Sequence, residues 1–159
     1  MFLKPDFDIL SVRELDVQSL HSMGIKAVLF DMDSTTMASK SGVFEPWVLE
    51  MFDELSKQFC IAILSNNKNR EYIAKAQSQC RIDVIGNANK PNPKVLLDYL
   101  KSKNILPEQA VMVGDRPLTD IWAGKLAGTK TVLVDSITKT TEPKLTRFVR
   151  FLERLTVRK

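Results

Sequence analysis

The stretch Ala27-Val28-Leu29-Phe30-Asp31-Met32-Asp33-Ser34-Thr35 ends an apolar run in two carboxylates that sit one residue apart. The run from Ile25 to Phe30 is too short for a helix and reads as a buried strand. Its end places two acids at the carboxyl edge of a sheet, which is where open α/β sheets bind ligands. Acids this close repel each other. They need a cation, a proton or hydrogen-bond donors between them.

Working outward, the same grammar repeats. Ser11-Val12-Arg13-Glu14 has the form of a capping box and predicts a helix from about Val12 to Met23, stopped by Gly24. Pro46 opens a second helix that runs to about Gln58, made amphipathic by Trp47, Leu49, Met51 and Leu55. Phe59 to Leu64 is a second buried strand, broken by the polar turn Ser65-Asn66-Asn67, and Lys68 to Gln79 is a helix. Arg81 to Ile85 is a weak strand. Asn92 caps a helix that starts at Pro93 and runs to about Lys103. Gln109 to Gly114 and Thr131 to Val134 are further strands, separated by a helix over Leu118 to Leu126. Lys144 to Arg154 is the last helix. The alternation predicts an α/β fold: helices on both faces of a parallel sheet of about five strands. With no repeat or linker, residues 1–159 read as a single domain.

Four strand or loop ends then carry polar groups: Asp31 and Asp33; Ser65 and Asn66; Lys90; and Asp115 with Asp120. Each alone has a plain explanation, such as turn chemistry, a helix cap or a solvated lysine. Together, on one edge, they suit phosphoryl transfer. Asp31 is a candidate nucleophile toward phosphorus, and Asp33 a candidate acid/base. Asp115 and Asp120 can hold Mg²⁺ with Asp31, because that ion prefers carboxylate oxygens. Ser65 and Lys90 can meet phosphate oxygens.

The order and spacing resemble the four motifs of the haloacid dehalogenase superfamily. Asp31-Met32-Asp33-Ser34-Thr35 is its DxDxT form, followed by Ser65-Asn66, Lys90-Pro91, and Gly114-Asp115 through Asp120 as GDxxxxD. Within the superfamily the chain is most similar to the subclass IIIA, YqeG-like phosphatases. That likeness adds Pro5-Asp6, Gly24-Ile25-Lys26 and Arg147, Arg150 and Glu153-Arg154. Relatives of that group include phosphatidylglycerophosphate phosphatases. The resemblance implies a Rossmann-like three-layer sandwich and an aspartyl-phosphate intermediate on Asp31. It implies Mg²⁺ held by Asp31, Asp115 and the main-chain carbonyl of Asp33, with Asp120 beside them. Ser65, Asn66 and Lys90 would bind the phosphoryl group. An acid rather than Thr at position 33 favours phosphatase or mutase chemistry. The short spans from Thr35 to the next helix and from Lys68 to Lys90 leave no room for a large cap domain. Many relatives have Asn and Leu where Ser34 and Thr36 stand here, so the adjoining loop departs from the pattern.

The 159 residues are 44% hydrophobic and 26% charged, with a net charge of +4, as expected of a soluble chain. No secretory signal or spanning segment is evident, and Cys60 and Cys80 form no metal or redox motif. A cytoplasmic setting follows, with an anionic partner favoured by the charge. A nucleic acid is not expected, since basic and aromatic residues are not interleaved. In the last helix Leu145, Phe148, Val149, Leu152 and Leu155 share one side, and Lys144, Arg147, Arg150, Arg154 and Arg158 the other. The plain reading is apolar side to the core and basic side to water. The sharper one lays the basic side on an anionic membrane, peripherally on its inner face. The leading function is an Mg²⁺-dependent phosphomonoesterase, with phosphatidylglycerophosphate as its phospholipid substrate. The alternatives are a phosphatase of a soluble sugar phosphate, nucleotide or phosphoprotein, and a binding module that has lost turnover.

Overall fold

Along Ala27–Phe30 the side chains leave alternately to two faces, and both faces are buried. Val28 and Phe30 join one apolar cluster, and Ala27 and Leu29 another. A strand covered on both sides must be apolar throughout, which is why this run lacks polar alternation. Its fully buried large side chains, Leu29 and Phe30, each contribute about 2 kcal/mol of transfer free energy.

The computed structural model describes residues 3–137 and 143–157. Arg158, assigned above to the basic side of the last helix, lies outside the described residues. The elements run β1 (Phe7–Ile9), α1 (Val17–Ser22), β2 (Ala27–Phe30), α2 (Pro46–Ser56), β3 (Cys60–Leu64) and α3 (Arg70–Gln77). They continue with β4 (Asp83–Ile85), α4 (Lys94–Ser102), β5 (Ala110–Gly114), α5 (Trp122–Ala127), β6 (Lys130–Val134) and α6 (Lys144–Leu155). The strands form one parallel sheet in the order β1-β6-β5-β2-β3-β4. Helices cover both faces, so the protein is Rossmann-like α/β. Val48, Phe52 and Leu55 of α2 and Ala76 of α3 pack on one face. Leu96, Tyr99 and Leu100 of α4 and Ala127 of α5 pack on the other.

The order reverses at β2. From it the chain proceeds through β3 to β4 on one side, then returns to place β5 and β6 on the other. The crevice at such a switch point lies at the carboxyl ends of the strands. In register Phe30 faces Ile63 on β3 and Val113 on β5, so the next residues of all three strands share that edge.

The structure corrects four expectations. The sheet has a sixth strand, β1, at its edge beside β6. The helix expected over Val12–Met23 is a 3₁₀ turn at Val12–Glu14 followed by the short α1, because the Asp16 carboxylate caps a new start by accepting from Ser19. The helix expected from Leu118 begins instead as a π-helical turn, Pro117–Ile121. The last helix is turned over: its apolar side chains Leu145, Phe148, Phe151 and Leu152 are exposed, and Arg150, Glu153 and Arg154 point inward. Among the described residues no extra domain interrupts the loops after β2 or β4. None of the described helices is long and apolar enough to cross a membrane.

Candidate active site

Asp31 is the first residue past β2, and its main-chain N–H donates to Val113 O at 2.9 Å, carrying the β2–β5 ladder into the site. The chain then curls over itself. The N–H groups of Thr35, Thr36 and Met37 all donate to Met32 O. The Thr36 hydroxyl donates to the carbonyls of Asp31 and Met32. Ser34 takes a left-handed conformation, φ 71°, uncommon for a residue other than Gly, Asn or Asp. The two departures from the family pattern thus occupy a loop in which the N–H groups of Ser34, Thr35, Thr36 and Met37 are all paired.

That curl separates the two acids. The Asp31 carboxylate faces the sheet edge and accepts from Lys90 Nζ at 2.6 Å and from Thr35 Oγ1 at 3.3 Å. The Asp33 carboxylate turns the other way and accepts from Tyr72 Oη at 2.6 Å and from the Lys40 main-chain N–H at 2.9 Å. Burial and the nearby Asp33 carboxylate push the Tyr72 phenol above its ordinary range, so Tyr72 remains a donor.

Asp115 follows β5 and is 2% exposed. It accepts from Thr35 Oγ1 at 3.0 Å, and its second oxygen contacts the Arg150 guanidinium. Asp120 comes from the π-helical turn and is 1% exposed. Its oxygens accept from Lys90 Nζ at 2.8 Å and from the Arg116 main-chain N–H at 3.1 Å. One oxygen each of Asp31, Asp115 and Asp120 lies within 4.8 Å of the others. Three hard oxygen donors so placed suit a divalent cation. Here Lys90 and Arg150 supply the positive charge that the cluster needs. Burial opposes the ammonium form of Lys90, but Asp120 and Asp31 outweigh it and hold its pKa above the usual lysine value. Burial, with the charge of Asp31, pushes Asp120 up to about 6 against the opposing pull of Lys90.

Asn66 does not point at this cluster. Its side-chain amide accepts from the Lys90 N–H at 2.7 Å and donates to Lys90 O at 2.9 Å. It therefore fixes the backbone from which Lys90 reaches inward. Ser65 is buried at the end of β3, and its Oγ accepts from the Asn67 N–H at 3.1 Å. That leaves its hydroxyl proton to be donated elsewhere. The structure thus gathers Asp31, Lys90, Asp115 and Asp120 with Thr35, and sets Asp33 apart with Tyr72. Thr35, Tyr72 and Arg150 were not singled out as site residues from the sequence. Thr35 lay inside the quoted motif. Tyr72 and Arg150 come from distant helices whose orientation no local pattern specifies.

The sheet order matches the haloacid dehalogenase fold that the sequence motifs resemble, and comparison of folds agrees. A haloacid dehalogenase phosphatase from Thermococcus onnurineus superposes with a TM-score of 0.56 at 16% identity, covering 83% of this chain and 98% of that one. Among sequences, the probable phosphatase YqeG of Bacillus subtilis is 25% identical over 153 residues, 96% of this chain and 88% of that protein. The chloroplastic/mitochondrial phosphatidylglycerophosphate phosphatase 1 of Arabidopsis thaliana is 31% identical over 161 residues, 96% of this chain. The chain spans 46% of the length of that plant protein. The protein is a phosphatase with a haloacid-dehalogenase-type fold. Residues 1–138 match the family described as mitochondrial PGP phosphatase, and the chain belongs to it.

Proposed function

We propose that the protein hydrolyses a phosphomonoester through an aspartyl-phosphate on Asp31, and that its substrate is phosphatidylglycerophosphate. The observation that carries the reading is the Asp31–Asp115–Asp120 cluster, with Lys90 Nζ held 2.6 Å from Asp31 and 2.8 Å from Asp120. Asp31, Asp115, Asp120 and the main-chain carbonyl of Asp33 are the groups that would hold Mg²⁺. Once bound, the ion neutralises the clustered acids and the incoming phosphate, so that a carboxylate can approach phosphorus.

The chain's own residues account for the rest. An Asp31 oxygen forms the new O–P bond as the bond to the leaving oxygen breaks. Asp33 gives that oxygen its proton, and its orientation is set by Tyr72 and the Lys40 N–H. Lys90 and the Ser65 hydroxyl stabilise the charge spread over the transferring oxygens. Asp33, now ionised, takes a proton from water. The water oxygen attacks phosphorus, the Asp31–phosphate bond breaks, and the carboxylate is restored.

The lipid substrate is supported by the family match and by the named activity of the plant relative. The loops after β2 and β4 carry no cap domain, which leaves room for a bulky phosphate ester. The test is a panel of phosphatidylglycerophosphate in mixed micelles beside sugar phosphates, nucleotides and a phosphopeptide, with Mg²⁺. A preference for the lipid in kcat/KM is expected. Equal low rates on all would sink the lipid assignment, and activity unaffected by Asp31→Asn would sink the mechanism.

A further inference from the structure

Helix α6 wears its apolar side outward. Leu145 is 73% exposed, Phe151 58% and Phe148 55%, with Val149, Leu152 and Leu155 also open. An amphipathic helix on a water-soluble domain ordinarily buries that side. Here the inward stripe is polar. Arg150 contacts Asp115, Glu153 accepts from Arg116 at 2.5 and 3.3 Å, and Arg154 pairs with Asp135 at 2.6 Å. Glu153 is the one acid of the helix, and it is 5% exposed. The outer surface of α6 is therefore apolar, rimmed by the exposed cations Lys144 and Arg147, and holds no acid. Leu118 and Trp122, in and just after the turn against which α6 packs, are exposed as well.

This surface fits one kind of partner. An acid-free apolar face with a cationic rim is complementary to an anionic lipid interface, where side chains such as Phe and Leu bury below the headgroups. Pairing with a second copy would bring like charges together, on a chain of net charge +4. The helix also stands on the site. Arg150 occupies an oxygen of Asp115, one of the three acids that gather there. We propose that α6 is a lid that docks by its apolar outer face onto an anionic bilayer and, in docking, draws Arg150 away from Asp115. The proposal rests on the phosphatase reading above and adds that the site opens only where lipid is present. A lipid monoester would then be met by an opened site, and soluble phosphates left alone.

The test uses the full chain, Mg²⁺ and a soluble reporter, p-nitrophenyl phosphate, so that vesicles serve as surface and not as substrate. Co-sedimentation with phosphatidylglycerol vesicles, but not with phosphatidylcholine vesicles, is expected. Reporter hydrolysis should rise roughly five-fold or more on adding the anionic vesicles, the lower range of ordinary coupling between two sites. Phe148→Ser with Leu152→Ser should lose both vesicle binding and the rise, while keeping the vesicle-free rate. Arg150→Gln should raise the vesicle-free rate and flatten the response. Hydrolysis that is present but indifferent to vesicles overturns the lid and leaves the phosphatase reading standing. So does a dimer that dissolves in the Phe148/Leu152 double variant without any vesicle binding. Absence of hydrolysis in every arm overturns the phosphatase reading instead.

Discussion

Gly114 and Asp120 approach each other more closely than any side chain on the former would permit. A Cβ placed on Gly114 would lie 2.3 Å from Cβ and Cγ of Asp120. The glycine that ends β5 is thus the space into which the π-helical turn lowers its acid. Gly114→Ala should displace Asp120 and loosen its contact with Lys90. Overpacking of this kind costs about 1–3 kcal/mol, and Tm should fall by roughly 3 °C for each kcal/mol. Activity should fall further than the Tm shift alone implies, read as kcat at a temperature where both proteins are folded. A variant with wild-type Tm and kcat would show that the turn does not need this approach.

The opposite orientations of Asp31 and Asp33 predict two distinct failures. Asp31→Asn should form no phosphoenzyme, and its turnover should vanish. Asp33→Asn should form the phosphoenzyme slowly and release it slowly, with kcat lowered by about 10²–10⁴-fold. Acid-quench trapping of the phosphoenzyme distinguishes the two. Full activity in either variant contradicts the assignment.

Tyr72 reaches Asp33 from α3, across 39 positions of sequence. Tyr72→Phe keeps the ring in the core and removes only the donor. The expected result is a drop of about tenfold in kcat with little change in KM, the pattern of an interaction that matters in the transition state. A raised KM with unchanged kcat would place Tyr72 in substrate binding instead.

Asp6 ties the start of the chain to the sheet, accepting from Lys125 Nζ at 2.9 Å and from the Thr131 N–H at 2.8 Å. Burial opposes ionisation of this carboxyl, but the donors Lys125 and Thr131 outweigh it and hold its pKa below the ordinary aspartate value. Because the folded pKa is depressed, the stabilisation is complete above the unfolded value and is lost as pH falls through the folded one. Asp6→Asn should therefore cost about 1 kcal/mol at pH 7, after allowance for solvent screening. Thermal melts should show that difference shrinking as pH falls below the ordinary aspartate range. A difference that stayed constant with pH would assign the effect to shape rather than charge.

Much of this architecture was legible from residues 25–134. Runs such as Ala27–Phe30 and Ala110–Gly114 are apolar throughout because both faces of the sheet are covered, and a run of that kind announces itself. The acids of the site stood out because each follows such a run. What escaped was set by contacts between distant elements. Strand β1 is three residues long and largely exposed, so Phe7-Asp8-Ile9 carries too short a pattern to read. A helical wheel shows that α6 is two-sided but not which side meets the protein. That choice depends on Asp115, Arg116 and Asp135, on other elements, drawing Arg150, Glu153 and Arg154 inward. The Asn66 amide, which the resemblance implies as a phosphate ligand, pairs with the main chain of Lys90, 24 residues on, a contact no local pattern announces.

Asp31 and Asp115 succeed neighbouring strands whose last paired residues, Phe30 and Val113, are in register. The backbone ladder therefore sets Asp31 level with Gly114 and Asp115 one residue further along, across strands about 4.8 Å apart. The site carries a built-in ruler. Substitutions around it can dry, wet or recharge it, but its gauge belongs to the peptide groups, which every sequence with this fold shares.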